Sequence, residues 1–258
     1  MITRSSITYV FLILTIFWRN YINADYIEAG IINGSPVSIT DVPFMALYRP
    51  KGKGVSPYHC GAVIIHEKFL ISAAHCYIKL IPEYRVTVGT DHALEGGVDY
   101  DIEETIIHPK YNQNNNDCDV LVIKIKDKLT FNDRVQKIEM ASHDLEIDDG
   151  VMLDTMGFGL TNSSEENSFS NELLRVSIPY VNQNDCKKIF SKLTSRMICA
   201  GGTDKDSCMG DSGGPLTYQN LVVGLVSYGR TTCGQVGIPA VYTKLSAVRD
   251  FIDKIITT

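Results

Sequence analysis

The stretch Cys208-Met209-Gly210-Asp211-Ser212-Gly213-Gly214-Pro215 sets a serine in a turn walled by glycine on both sides. Small neighbours leave the Ser212 hydroxyl open to an approaching molecule. They also permit the tight backbone path that aims amide N–H groups at one point. A hydroxyl that attacks a carbonyl needs that access, and the oxyanion it creates needs such donors. The amides of Gly210 and Ser212 are the natural candidates. The pattern G-x-S-x-G occurs on more than one fold, so the rest of the chain has to decide between them.

The order of the histidines decides. All six (His59, His66, His75, His92, His108 and His143) precede Ser212. An α/β-hydrolase runs serine, acid, histidine, so its base must follow its nucleophile. No histidine follows here, and that fold is excluded. The order His, Asp, Ser remains. Its landmarks are Ser72-Ala73-Ala74-His75-Cys76, then Asp117-Cys118-Asp119-Val120-Leu121, then the Ser212 turn. Ile31-Ile32-Asn33-Gly34 and Met156-Gly157-Phe158-Gly159 add two more. Taken together, in this order and from residue 31 to the end, the chain resembles the chymotrypsin/trypsin-like secreted serine proteases in zymogen form.

The resemblance implies an all-β fold of two six-stranded antiparallel barrels with a C-terminal helix, joined near residues 127–142, with the active site between them. It implies a serine endopeptidase in which His75 is general base and acid, Asp119 orients its ring and Ser212 is the nucleophile. Gly210 and Ser212 form the oxyanion hole. Asp206, six residues before Ser212, stands where trypsins hold the carboxylate that receives Lys or Arg. Ser207 would bind the same cation, while Gly229 and Ala240 line the walls and Ser227 and Tyr228 offer a strand edge to substrate backbone. Asp211 would pair with the ammonium created when the Gly30–Ile31 bond is cut. The implied disulfides are Cys60–Cys76, Cys186–Cys199 and Cys208–Cys233. A further pair found in many relatives is absent from both halves, which read Leu153 and Tyr218. Alternatives are a catalytically silent binding protein on the same fold, although none of His75, Asp119 or Ser212 is lost, and an apolar substrate preference, which Asp206 opposes.

Composition agrees. The 258 residues are 44% hydrophobic with a formal charge of −6, and no basic stripe points to nucleic acid or an anionic membrane. The apolar run 7–18 behind Arg4 would span roughly 18 Å as a helix, short of the roughly 30 Å hydrocarbon layer. It reads as a secretory signal peptide, 1–24, cut after Ala24, with a propeptide at 25–30 and the protease domain at 31–258. The expected partners are protein or peptide substrates, an activating protease and protein inhibitors, on an extracellular monomer.

Seven cysteines leave Cys118 over. It reads as a small half-buried thiol in a slot often filled by Asn, with intermolecular pairing the lesser alternative, since no ligand spacing supports zinc. No metal or cofactor is expected: the loop 89–108 is shorter than the calcium loop of trypsins, with Thr90 where the first carboxylate would be. Asp117 is the local competitor of Asp119, and the remaining histidines read as structural. Short β-rich runs at 61–65, 84–89, 120–125 and 221–228 lie between turns. Val248, Phe251, Ile252, Ile255 and Ile256 share one helical face, expected to pack on the second barrel. Asn162-Ser163-Ser164 lies in a polar stretch and is the expected glycosylation site. Asn33-Gly34-Ser35 also matches, beside the segment that must tuck inward. Ala240 replaces a glycine usual in trypsins, and Gly30 replaces the Lys or Arg that trypsinogens carry at the activation bond.

Overall fold

Short strands, most of them buried along nearly their whole length, are the building units of the chain. In the computed structural model, which describes residues 31–51, 60–162, 164, 165 and 168–257, two sets of strands close on themselves. The expected leader and propeptide, Gly30 and His59 lie outside the described residues. A short strand β1 (Ser35–Pro36) precedes the first barrel. That barrel consists of β2 (Met45–Pro50), β3 (Cys60–Ile64), β4 (Phe69–Ser72), β5 (Tyr84–Val88), β6 (Val98–Ile107) and β7 (Leu121–Ile125), closed in the order β2-β3-β4-β7-β6-β5. Its interior is filled by Tyr48, Ile64, Leu70, Val86, Leu121 and Ile123, among others.

A crossing segment carries the chain over. The Ile138 amide donates to the Ile64 carbonyl of the first barrel, and the Ala141 amide to Val222 of the second. Between them β8 (Glu139–Met140) runs parallel to a strand of the second barrel. That barrel comprises β9 (Met152–Gly157), β10 (Leu174–Val181), β11 (Met197–Gly201), β12 (Pro215–Tyr218), β13 (Leu221–Tyr228) and β14 (Pro239–Lys244), closed by pairing of β9 with β10. Strand β10 turns Leu174, Val176 and Ile178 inward and exposes Arg175 and Ser177, as alternation on a closed sheet requires.

Two helices complete the fold. The short α1 (Gln183–Ile189) is started by Asn182, whose side chain accepts from the Asp185 amide at 3.0 Å. Its seven residues carry no periodicity that marks a helix. The C-terminal α2 (Leu245–Ile256) buries Leu245, Val248 and Ile252. Each such side chain stabilises by about 1.5–3 kcal/mol. This face joins Val222 and Leu225 of the second barrel, as expected, but also Val63, Ile71 and Val122 of the first. Phe251 meets the His108 ring edge-on at 4.5 Å between centroids. The helix therefore wedges between the barrels rather than resting on one. Among the described residues no helix is long and apolar enough to cross a membrane.

Candidate active site

His75 sits in a single 3-10 turn, Ala74–Cys76, directly after β4. The Cys60–Cys76 disulfide ties that turn back to β3. Its backbone amide donates to Asp119 Oδ1 at 2.9 Å and its ring Nδ1 meets Oδ2 at 2.7 Å. Two contacts from one residue to both carboxylate oxygens fix the imidazole's orientation and make Nδ1 the protonated nitrogen. Nε2 is then the nitrogen able to accept a proton. Asp119 is wholly buried. A buried carboxylate requires donors, and the second barrel supplies them: Ser227 Oγ donates to Oδ2 at 2.5 Å, and Thr243 Oγ1 to the Asp119 carbonyl at 2.8 Å. Asp117 is turned elsewhere, toward Arg196 and Thr194. Burial raises its carboxyl pKa, but those hydrogen bonds outweigh the effect and hold it low.

The Ser212 turn approaches from the other side. Its carbonyl accepts from the Gly61 amide at 2.8 Å. The Cys76 sulfur lies 3.8 Å from that carbonyl and 3.9 Å from His75 Nε2, so the serine turn and the proton-accepting nitrogen share a neighbour. The amides of Asp211, Gly213 and Gly214 are taken by the carbonyls of Cys208, Val226 and Asp211. Among the described residues, those of Gly210 and Ser212 donate to no protein acceptor, so both keep a donor that an anionic oxygen could take. Gly213 has φ +75°, and a Cβ there would lie 2.2 Å from Ser72 Oγ. Only glycine lets the turn press this closely against the first barrel.

Next to Ser212 a cavity of about 180 Å³ is lined by Asp206, Ser207, Ser227, Tyr228, Gly229 and Ala240. The Cys208–Cys233 disulfide braces its wall. Asp206 is 6% exposed; its Oδ2 accepts from the Gly234 amide at 3.0 Å, while Oδ1 has no partner among the described residues. Burial pushes its pKa up to about 6. A buried acceptor without a partner, on a residue that lines a cavity, suits a cationic group. Ser207 Oγ lies 3.0 Å from the Tyr242 hydroxyl. Ser227, expected at the strand edge, turns its side chain to Asp119, so its role as donor there is one that sequence reasoning missed. A second cavity of about 310 Å³ shares Tyr228 and is lined by Phe190, Lys192 and the Asn-rich loop 113–116. Arg230 lies over the Phe190 ring at 5.7 Å.

Asp211 points away from Ser212 into the protein and is fully buried. Its oxygens accept from the Gly159 and Cys208 amides, both at 2.8 Å. Burial pushes its pKa up to about 7. Ile31 is wholly buried, and Ile32 pairs with Asp206 through backbone bonds of 3.0 and 3.4 Å.

The other candidates have local employment. His66 and His108 accept through Nδ1 from the amides of Lys68 and Lys110, and His143 faces Asp250 on the surface. Cys118 is free and fully buried rather than half-buried, with φ +56°, the left-handed region that Asn also tolerates. The Cys186–Cys199 disulfide is formed as expected. Cys60, His75 and Cys76 bring three ligand atoms together, but the two sulfurs are bonded to each other and offer no thiolate to a metal. Asn162 is exposed, with its amide nitrogen 3.2 Å from Glu165. Asn33 is tied to the Asp204 carbonyl at 2.8 Å.

Known proteins resemble this chain in sequence and in fold. The Trypsin family model matches residues 31–252. Trypsin 5G1 of Aedes aegypti is 32% identical over 243 residues, 92% of this chain and 89% of that one. A vitellin-degrading protease of Bombyx mori is 34% identical over 236 residues, 89% of this chain and 87% of its own length. Neuropsin, a serine protease expressed in the limbic system of mouse brain, superposes with a TM-score of 0.79 at 28% identity, covering 88% of this chain and 100% of that chain. The matched span and the identity over most of each chain put this protein in the trypsin family, as a trypsin-like serine endopeptidase.

Proposed function

We propose that the protein is secreted as a zymogen and, once cut at Gly30–Ile31, hydrolyses peptide bonds after Lys or Arg. One observation carries the specificity: a buried carboxylate, Asp206, closes the cavity that opens beside Ser212. Ser212 Oγ attacks the scissile carbonyl as its proton passes to His75 Nε2. Asp119, held by Ser227, stabilises the resulting imidazolium. The amides of Gly210 and Ser212 hold the oxyanion. His75 then gives the proton to the leaving amine, which departs and leaves an acyl-serine. Water attacks the ester, again losing its proton to His75, and Ser212 is regenerated.

The substrate's basic side chain reaches Asp206 between the walls of Gly229 and Ala240, with Ser207 beside it. Its backbone lies along Ser227 and Tyr228. The Ile31 ammonium freed by activation pairs with Asp211. Until then a buried carboxylate lacks its ion partner, a loss worth about 3–5 kcal/mol. Three disulfides and the expected leader support export, and Asn162 is the glycan acceptor. Protein inhibitors would occupy the same cleft as substrate.

The test combines a serine-directed organophosphate with a peptide-library cleavage profile. Labelling at Ser212 of protein processed to Ile31, and cuts after Lys and Arg, are expected. Processed protein that takes no label sinks the catalytic assignment, and cuts after apolar residues sink the role of Asp206.

A further inference from the structure

We propose that Arg196 and Asp117 form a latch between the barrels that positions Asp119, the third member of the catalytic set in the function proposed above. Asp117 belongs to the connection between β6 and β7 of the first barrel, two residues before Asp119. Arg196 directly precedes β11 of the second. The guanidinium grips the carboxylate as a fork: Nε donates to Oδ1 at 3.0 Å and a second nitrogen donates to Oδ2. Thr194 Oγ1 also donates to Oδ1, at 2.7 Å, and accepts from the Arg196 amide at 3.2 Å. Asp117 is 9% exposed. A planar, charge-assisted fork in such a half-sheltered site fixes geometry as well as charge.

The latch closes a circuit. The Arg196 carbonyl accepts from the Lys244 amide at 2.9 Å, and the adjacent Thr243 hydroxyl holds the Asp119 carbonyl. The second barrel thus grips Asp119 directly and grips the residue two before it through Arg196. Between the two stands Cys118, a non-glycine residue at φ +56°. Such a conformation persists only when its surroundings over-determine it. With Arg196 unpaired, this turn can relax and carry the Asp119 carboxylate off the His75 ring. The cavity of Asp206 is lined by second-barrel residues, and among the described residues only Ser227 links its wall to this turn. Arg196 and Asp117 are positioning residues, and they act on turnover rather than on binding.

The experiment uses activated enzyme and three single variants, Asp117→Asn, Arg196→Gln and Arg196→Lys, with the double variant Asp117→Asn/Arg196→Gln. Asp117→Asn and Arg196→Gln should each lower kcat between about 10- and 100-fold, as misplaced catalytic groups do, with KM within about twofold. The low-field proton resonance of His75 Nδ1–H should shift or broaden in both. Arg196→Lys, which keeps the charge but not the fork, should fall in between. The double variant should recover part of the loss, because two neutral amides can pair whereas each single leaves a charge alone. Unchanged kcat in the singles, an equal rise in KM, or an unmoved Nδ1–H resonance overturns the latch. Should Arg196→Gln not fold, Arg196→Lys decides by the same readings. An inert wild-type enzyme would instead refute the catalytic assignment itself, so the two failures are distinguishable.

Discussion

Lowering the pH should empty the proposed basic-residue pocket of its attraction, and Asp206 sets where. Its carboxyl is 6% exposed, one oxygen takes an amide from Gly234, and burial lifts its pKa to about 6. The raised value means that the free enzyme carries a neutral acid below about pH 6 and a carboxylate above it. Only the carboxylate pairs with a cation, so apparent affinity scales with the ionised fraction. At pH 5 that fraction is about one in eleven, and Kd should be roughly tenfold weaker than at pH 8, or about 1.4 kcal/mol. Each further unit down adds about tenfold. The assay is equilibrium binding of a simple arylamidine, which mimics the guanidinium and is not hydrolysed, to activated enzyme from pH 8 to pH 4. Asp206→Asn is the control: it keeps the shape, loses the charge, and should bind weakly at every pH. A Kd that stays flat from pH 8 to pH 5 would refute the assignment of Asp206 to the pocket floor. A tenfold slope surviving in Asp206→Asn would trace the effect to another group.

Other perturbations read other parts of the site. Gly159→Ala places a Cβ about where Asp211 sits, 2.4 Å from Oδ2, and should lower kcat/KM at least 100-fold by unseating the Ser212 turn; near-normal activity would count against that seat. Ala240→Gly removes a buried methyl from the cavity wall and should raise the Arg-to-Lys ratio of kcat/KM, a change worth about 1–3 kcal/mol; an unchanged ratio shows that the methyl does not meet the substrate's tip. The uncut precursor should lose thermal stability as pH climbs through 6 and 7. The folded pKa values of Asp206 and Asp211 are raised, so the stability they lend is complete below about pH 4 and gone above the folded values. A midpoint that rises from pH 5 to pH 8 contradicts this.

The parts of the site legible in the sequence are those whose chemistry is local. The glycine-walled turn at Ser212 and the Ala74-His75-Cys76 stretch each carry their reason within a few residues. The grip on Asp119 does not. Ser227 and Thr243 lie 108 and 124 residues away along the chain, and nothing near Ser227 marks its hydroxyl as the carboxylate's donor. Likewise Gly157 and Gly159 read as a family motif, while their physical reason is the space that Asp211 occupies. The helix α1 escaped because seven residues with one buried side chain, Cys186, carry too little apolar periodicity. Its only local sign was the Asn182–Asp185 cap.

The proposed activation would couple two sites through one dipeptide. Ile31 is buried at φ +49°, a region that a β-branched residue enters only under strain of about 1–3 kcal/mol. That torsion exists only while Gly30 is attached. Cutting the bond would abolish it and create the ammonium proposed to pair with Asp211, so both effects would favour the docked segment. Ile32, next in line, is bonded through its backbone to Asp206. Docking therefore braces the floor of the pocket as well as the seat of Ser212. Cleavage at Gly30–Ile31 should raise arylamidine affinity and organophosphate reactivity together, and an enzyme selective for Lys or Arg should not perform that cut on itself. Precursor purified free of other proteases should stay inactive for hours. Equal amidine affinity in cut and uncut protein would show that the pocket forms without the docked dipeptide, and rapid self-activation at Ile31 would overturn the specificity assigned to Asp206.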